Sequence, residues 1–179
     1  MQKSWLKYVF GLAVSVVVLI LPARAALPNV EPVMGFLMPF SKRYGHLAAF
    51  LFGALAMLLQ DLFMDSLDKT TPITAAVYGL VGLLSYLYFK KRAGTTVNFV
   101  KFSIIGTLSF DGLTMLIGPI MGHQVLMEAI AGQVPFTLQH LLSSITLALV
   151  VSPLVYAWVA EGEETEVSML WKKLKLLQN

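Results

Sequence analysis

The chain has no cysteine. Disulfides and thiolate metal sites are therefore excluded, while the redox compartment stays open. Charge is also scarce. Only 13% of residues are charged, about half the roughly 25% of a typical soluble protein. Several chemical signatures are missing as well. There is no Gly-x-x-x-x-Gly-Lys-Ser/Thr loop and no Gly-Lys pair, so the chain has no Walker-type ATP site. Neither His-Glu-x-x-His nor Gly-x-Ser-x-Gly occurs. His46, His123 and His140 are too scattered to read as a metal cluster from spacing. No nucleic-acid motif and no inverted repeat is evident. Six spans would be few for an independent secondary transporter.

What is present is apolar. Apolar residues make up 57% of the 179, and the mean hydropathy is +0.74. A soluble fold of this size needs more polar surface than that. A bilayer removes the need, because lipid tails are then the solvent. A span of hydrocarbon takes about 20 mostly apolar helical residues. The pattern predicts an all-α membrane protein, a six-transmembrane-helix bundle with both termini cytoplasmic. The segments lie at about 5–22, 30–40, 45–63, 72–89, 99–117 and 135–159, and a cytoplasmic amphipathic tail covers 161–179. The second segment is short and bounded by Pro28, Pro32 and Pro39.

The basic residues test this count. With a cytoplasmic N-terminus and six crossings, 11 of the 13 basic residues fall inside, and only Arg24 and Lys69 fall outside. If the short second segment did not cross, ten of the 13 would face outward. The positive-inside rule favours the first arrangement. Met1 to Ala26 has a second reading, as a secretory signal peptide with Ala23-Arg24-Ala25 as its small-x-small site. Cleavage after Ala25 would leave the later topology unchanged. In the tail, Glu161, Glu163, Glu164 and Glu166 precede Lys172, Lys173 and Lys175. Acid early and base late suits a helix dipole, here in a helix lying on the inner leaflet. A disordered tail is the alternative.

Small residues mark close helix contacts. Gly45, Ala49 and Gly53 form a stripe, as do Ala75 and Gly79 with Gly82 nearby. These are expected to pack within the chain. Gly11, Ala13 and Ser15 in the first segment are the candidate face for docking a partner membrane subunit.

Ionisable groups inside a span are functional candidates by default. Asp111 lies about 18 Å beyond Phe99 at 1.5 Å per residue, in the outer half of its segment. Thr114 follows on the same face. His140 lies about one turn into the sixth segment, with Gln139 beside it and Ser143 and Ser144 next. Gln60 and Asp61 end the third segment, and Asn29 and Glu31 lie in the first outer loop. Polar groups from distant segments thus gather near one membrane face. A pocket of amide, imidazole and carboxylate groups over an apolar floor suits a small polar ligand. Phe36, Tyr78 and Phe136 are candidates to stack on a flat ring. The predicted substrate-binding set is Asn29, Glu31, Tyr78, Asp111, Thr114, Gln139, His140 and Ser143, with no catalytic or metal-ligating residue assigned. Blander roles compete. Asp61 fits a helix end, Tyr78 fits packing, and His123 and Glu128 fit solvated loop positions. An Asp111–His140 pair would also serve as interhelical glue.

Leu27-Pro-Asn-Val-Glu-Pro-Val33 running into a short second helix resembles the S components of energy-coupling factor (ECF) transporters. Gly45-His-Leu-Ala-Ala-Phe-Leu-Phe-Gly-Ala-Leu-Ala-Met-Leu-Leu-Gln-Asp61 is similar to the third helix of that family. The likeness runs from about Leu27 to Trp158. It implies a non-enzymatic binding subunit for a vitamin or related micronutrient in the inner (cytoplasmic) membrane. It also implies an outer pocket lidded by loops, a transmembrane coupling subunit, and two cytoplasmic ATPases that use ATP. No cofactor in this chain is implied. The family commonly docks its partner through Ala-x-x-x-Ala in the first helix, where this sequence has Ala13 followed by Val17. The N-terminal histidine segment of the nickel and cobalt members is missing. Two other functions stay open from the residues themselves. One is an intramembrane enzyme using Asp111 and His140 as acid and base, and the other is a non-catalytic scaffold subunit.

Overall fold

The computed structural model describes residues 2–21, 31–160 and 165–176, and among these there are helices and no strands. The helices are α1 (Gln2–Ile20), α2 (Val33–Tyr44), α3 (His46–Phe63), α4 (Thr71–Phe89), α5 (Thr96–Met115), α6 (Ile117–Ile120), α7 (Leu126–Val159) and α8 (Glu166–Leu176). Four are long and apolar enough to cross a membrane: α3, α4, α5 continuing into α6, and α7. These make the chain a multi-pass membrane protein. The apolar stretch of α1, Trp5–Ile20, is shorter.

Successive long helices alternate in direction. Lys7 Nζ donates to the Trp158 carbonyl at 2.5 Å, and the Tyr8 hydroxyl donates to the Ala48 carbonyl at 2.7 Å. The start of α1 therefore meets the start of α3 and the end of α7. Lys42 Nζ donates to the Arg92 carbonyl at 2.9 Å, which brings the ends of α2 and α4 to the same side. Glu166 Oε2 accepts from the Thr96 amide at 2.9 Å, which adds the start of α5. The loop joining α3 to α4 lies at the opposite end, with the start of α7.

Two boundaries differ from the sequence expectation. The second helix was expected over 30–40 but runs Val33–Tyr44, straight through Pro39. Proline removes the amide that would bond the carbonyl four residues back, here that of Gly35. The Ser152 hydroxyl of α7 donates to that carbonyl at 2.9 Å, so the vacancy is filled from a neighbouring helix. The last long helix was expected from 135 but begins at Leu126, with Pro135 inside it. The carbonyl freed there belongs to Ala131, an exposed residue. Glu128 accordingly sits in the first turn of α7 and not in a loop.

The shortest of the bundle helices is central. Val33, Met34, Leu37, Met38 and Phe40 of α2 are all fully buried. Gly45 alone connects α2 to α3, at φ 90°, a left-handed value that glycine adopts without a Cβ penalty. Ala49 and Gly53 of the α3 stripe pack against α4 as expected, whereas Gly45 lies in the link with nothing within 4 Å of its Cβ position. A Cβ on Gly82 would stand 2.1 Å from the Ala49 carbonyl oxygen, and one on Gly53 2.4 Å from that of Tyr78. Hydroxyls tie further helix pairs, as interhelical polar groups do in lipid. Ser41 and Ser85 oxygens are 2.7 Å apart, and Thr107 donates to Ser144 at 2.9 Å. The tail forms α8, which leaves Leu170, Trp171 and Leu174 exposed beside its lysines.

Gly11 and Ser15 do not offer a docking face. A Cβ on Gly11 would fall 2.5 Å from the Phe40 ring, and Ser15 is fully buried, donating to the Gly11 carbonyl at 2.8 Å. Both lie on the side of α1 that packs into the bundle. Of the three candidates only Ala13 is exposed, on the same outward side as Val17.

Candidate functional site

Glu31 stands just before α2, where the chain enters the bundle. Its amide hydrogen-bonds the Ser143 hydroxyl of α7 at 3.1 Å. Its carboxylate is shared between two helices. Oε1 accepts from the Tyr78 hydroxyl of α4, and Oε2 lies 2.6 Å from His140 Nε2 of α7. The other imidazole nitrogen, Nδ1, lies 2.8 Å from Asp111 Oδ1 of α5. Three helices and the segment entering α2 are thus joined through one chain, Tyr78–Glu31–His140–Asp111. Glu31 is 6% exposed, His140 2%, Asp111 1% and Tyr78 not at all. If both carboxylates are ionised, both ring nitrogens must donate. Two negative groups then face one positive group. Asp111 Oδ2 is buried and has no hydrogen-bond partner among the described residues.

Glu31 and His140 form one wall of a cavity of about 330 Å³, open at the end where α3 meets α4. Glu31 and His140 line its depth, with Phe110 and Phe136 beside them. Both rings stand edge-to-face on the His140 imidazole, at 6.2 and 5.8 Å between centroids. Asp61 and Asp68 line the mouth. The loop between α3 and α4 is built on these two acids. Asp68 Oδ1 accepts from the Thr70 amide at 2.7 Å, the Thr70 hydroxyl at 2.6 Å and the Thr71 amide at 3.1 Å. It thereby satisfies amides that the start of α4 leaves open. These bonds hold the Asp68 carboxyl below the usual aspartate range, the Thr70 hydroxyl contributing most. Asp61 Oδ2 accepts from the Thr71 hydroxyl at 2.7 Å, which closes the loop on α3.

The eight expected binding residues divide unequally. Glu31, Tyr78, Asp111, His140 and Ser143 come together. Only Glu31 and His140 of these line the cavity; Tyr78 and Asp111 stand behind them. Thr114 is turned to its own helix, donating to the Phe110 carbonyl at 2.9 Å. Gln139 is not among the cavity-lining residues, and Asn29 lies outside the described residues. Phe136 lines the cavity as expected, while Phe36 packs against the core beside α1. Sequence reasoning missed Asp68 and Phe110, and read Asp61 as a helix end. The signal for Asp68 was present: an Asp followed two and three residues later by threonines, directly before an apolar run, is an N-terminal cap pattern. No group of three or more His, Asp or Glu that could hold a metal occurs among the described residues.

No family model, curated protein or solved structure matches this chain.

Proposed function

We propose that the chain is the substrate-capturing membrane subunit of an ATP-driven importer of the energy-coupling factor type. In this reading it binds a vitamin-sized solute from the extracytoplasmic side and passes it inward with a transmembrane partner and two ATPases. The observation that carries the reading is the open cavity of about 330 Å³ with Glu31 and His140 in its depth. That volume is at the small end of the roughly 300–1,000 Å³ of ligand pockets. An isolated acid–base pair buried as interhelical glue would need no such hollow beside it.

The charge distribution supports the orientation. The end away from the cavity carries Lys7, Lys42, Arg43, Lys90, Lys91 and Arg92, whereas Lys69 is the one basic residue in the described loop at the cavity mouth. Basic loops face the cytoplasm, so the cavity faces out. The alternating directions of α1 and α2 support six crossings, with α1 and α2 reaching across by packing on longer neighbours.

A second reading is favoured by one specific feature. An imidazole held between two carboxylates is also an acid–base device, and an intramembrane hydrolase or transferase would use it. Mass spectrometry of the intact protein, purified in mild detergent, separates the two. Capture predicts a small molecule that leaves unchanged on denaturation, and that is lost from Asp111→Ala and His140→Ala proteins that still insert and fold. Conversion of that molecule by the purified chain alone would favour the enzyme. Undiminished retention of the molecule in both variants would overturn the placement of the site.

A further inference from the structure

We propose that the solute taken by this cavity carries a positive charge beside a flat ring: a small protonated or quaternary amine on an aromatic or heteroaromatic ring. This rests on the capture reading above and assigns the ligand class of the same cavity.

The first argument is charge. Three carboxylates, those of Glu31, Asp61 and Asp68, line the cavity, and among the described residues no lysine or arginine does. Among the described lining residues His140 is the one able to offset them, and it is already bonded to Glu31 on one side and Asp111 on the other. Asp111 adds a further acid directly behind it, with Oδ2 buried and without a partner among the described residues. An anion entering this space would meet acid at the mouth and acid in the depth. A cation would meet acceptors at both levels, with Asp61 Oδ1 and Asp68 Oδ2 left over from the loop's own bonds.

The second argument is shape. A bare metal ion needs its acids gathered within bonding distance, and no such group of three occurs among the described residues. The acids are spread over the cavity instead, at its mouth and in its depth. Spread charge suits an extended organic cation. The rest of the lining is neutral, with Gln60, Ser66, Thr70 and Thr74 polar and Phe110, Phe136 and Met57 apolar. Phe110 and Phe136 flank the depth, and an aromatic face both stacks on a flat ring and attracts a positive charge. Met57 on α3 adds a soft apolar surface.

The test uses the full chain in lipid nanodiscs and four probes that share one benzene ring: benzyltrimethylammonium, benzylamine, benzyl alcohol and benzoate. Binding is read by thermal stabilisation, and the solute that co-purifies is identified by mass spectrometry. The two cations are expected to stabilise the protein, less so at high salt, and benzoate is not. Asp61→Asn and Asp68→Asn keep the shape of the loop acceptors and remove one charge each. Each is expected to weaken cation binding about tenfold, the factor that about 1.4 kcal/mol represents, with stabilisation read against that variant's own ligand-free melting temperature. Benzoate or benzyl alcohol binding as well as the cations would overturn the proposal, as would unchanged cation binding by both variants. A co-purified solute that is neutral or anionic overturns the charge class and leaves the capture reading standing. Absence of any solute, together with no response to any probe, overturns both.

Discussion

His140 is the position where the greatest effect of a single change is expected. Its two nitrogens hold Glu31 Oε2 at 2.6 Å and Asp111 Oδ1 at 2.8 Å, and all three residues are buried. His140→Ala removes both bonds and leaves two carboxyl groups without their shared partner. Hydrogen bonds to charged groups contribute about 1.5–3 kcal/mol each, and removing one member of a buried pair costs about 3–5 kcal/mol. The membrane tempers this figure. Interhelical hydrogen bonds measured in lipid average only about 0.6 kcal/mol, because the unfolded chain finds other partners there. The deciding feature is Asp111, whose Oδ2 has no partner among the described residues, so none of these supplies a second bond when Oδ1 loses His140. The expected cost of His140→Ala is therefore about 3 kcal/mol, with a His140–Asp111 coupling of about 1.5–3 kcal/mol in a double-mutant cycle. SDS-induced unfolding in mixed micelles, followed by circular dichroism, measures both. The Thr107–Ser144 pair joins the same two helices through neutral groups at 2.9 Å and serves as the internal control, with a coupling near 0.6 kcal/mol. A His140–Asp111 coupling no larger than that control would refute the view that these two groups act as a charge-assisted pair.

Other positions give sharp outcomes. Gly82→Ala places a methyl 2.1 Å from the Ala49 carbonyl oxygen and is expected to cost about 1–3 kcal/mol as α3 and α4 are forced apart. Gly112→Ala meets nothing within 4 Å and is expected to gain about 0.5–1 kcal/mol; equal effects of the two in the same unfolding assay would contradict the close approach. Asp68 has a lowered carboxyl pKa in the fold, so its contribution is present above the unfolded value and lost as pH falls through the folded one. Carbon-13 NMR should find it half-protonated below an exposed aspartate, and Thr70→Ala should raise that midpoint; no change on Thr70→Ala would remove the hydroxyl as the cause. Thr74 lines the cavity, and Thr74→Phe should fill it, abolishing solute retention in mass spectrometry while the melting temperature holds or rises. Retained solute in that variant would put the binding site elsewhere.

Membrane character was legible because it depends on composition and run length alone, which bury no surprises in lipid. The chemistry of the site was legible for the same reason: Asp111 and His140 stand out in apolar runs where a polar group needs a partner. Glu31 as the third member was less obvious, since nothing in a loop motif says that its carboxylate will turn into the bundle. The extent of α2 was misread because a proline's cost depends on whether another helix satisfies the carbonyl it frees. Ser152 does so from 117 positions away, a distance no local pattern can report. Gly11 and Ser15 were misassigned for a related reason. Small residues mark close packing, but spacing alone does not tell an internal neighbour from a partner subunit. Asp68 was missed, and Asp61 was weighed chiefly as a helix end, because both act through a loop whose shape only the tertiary structure reveals.

The short α2 connects these findings. Twelve residues give α2 about 18 Å of length, well under the roughly 30 Å of the hydrocarbon core. Glu31, at its entry, meets Tyr78, which lies seven residues into α4, or about 10 Å below the start of that helix. The neighbours α3, α4 and α7 rise past the point where α2 begins, and the space above α2 becomes the cavity. Its depth then has to receive the polar end of the entering chain. Glu31 meets that requirement by bonding to His140, and Asp111 completes the imidazole's second bond from α5. The hollow and the buried charge thus lie together where the short helix begins.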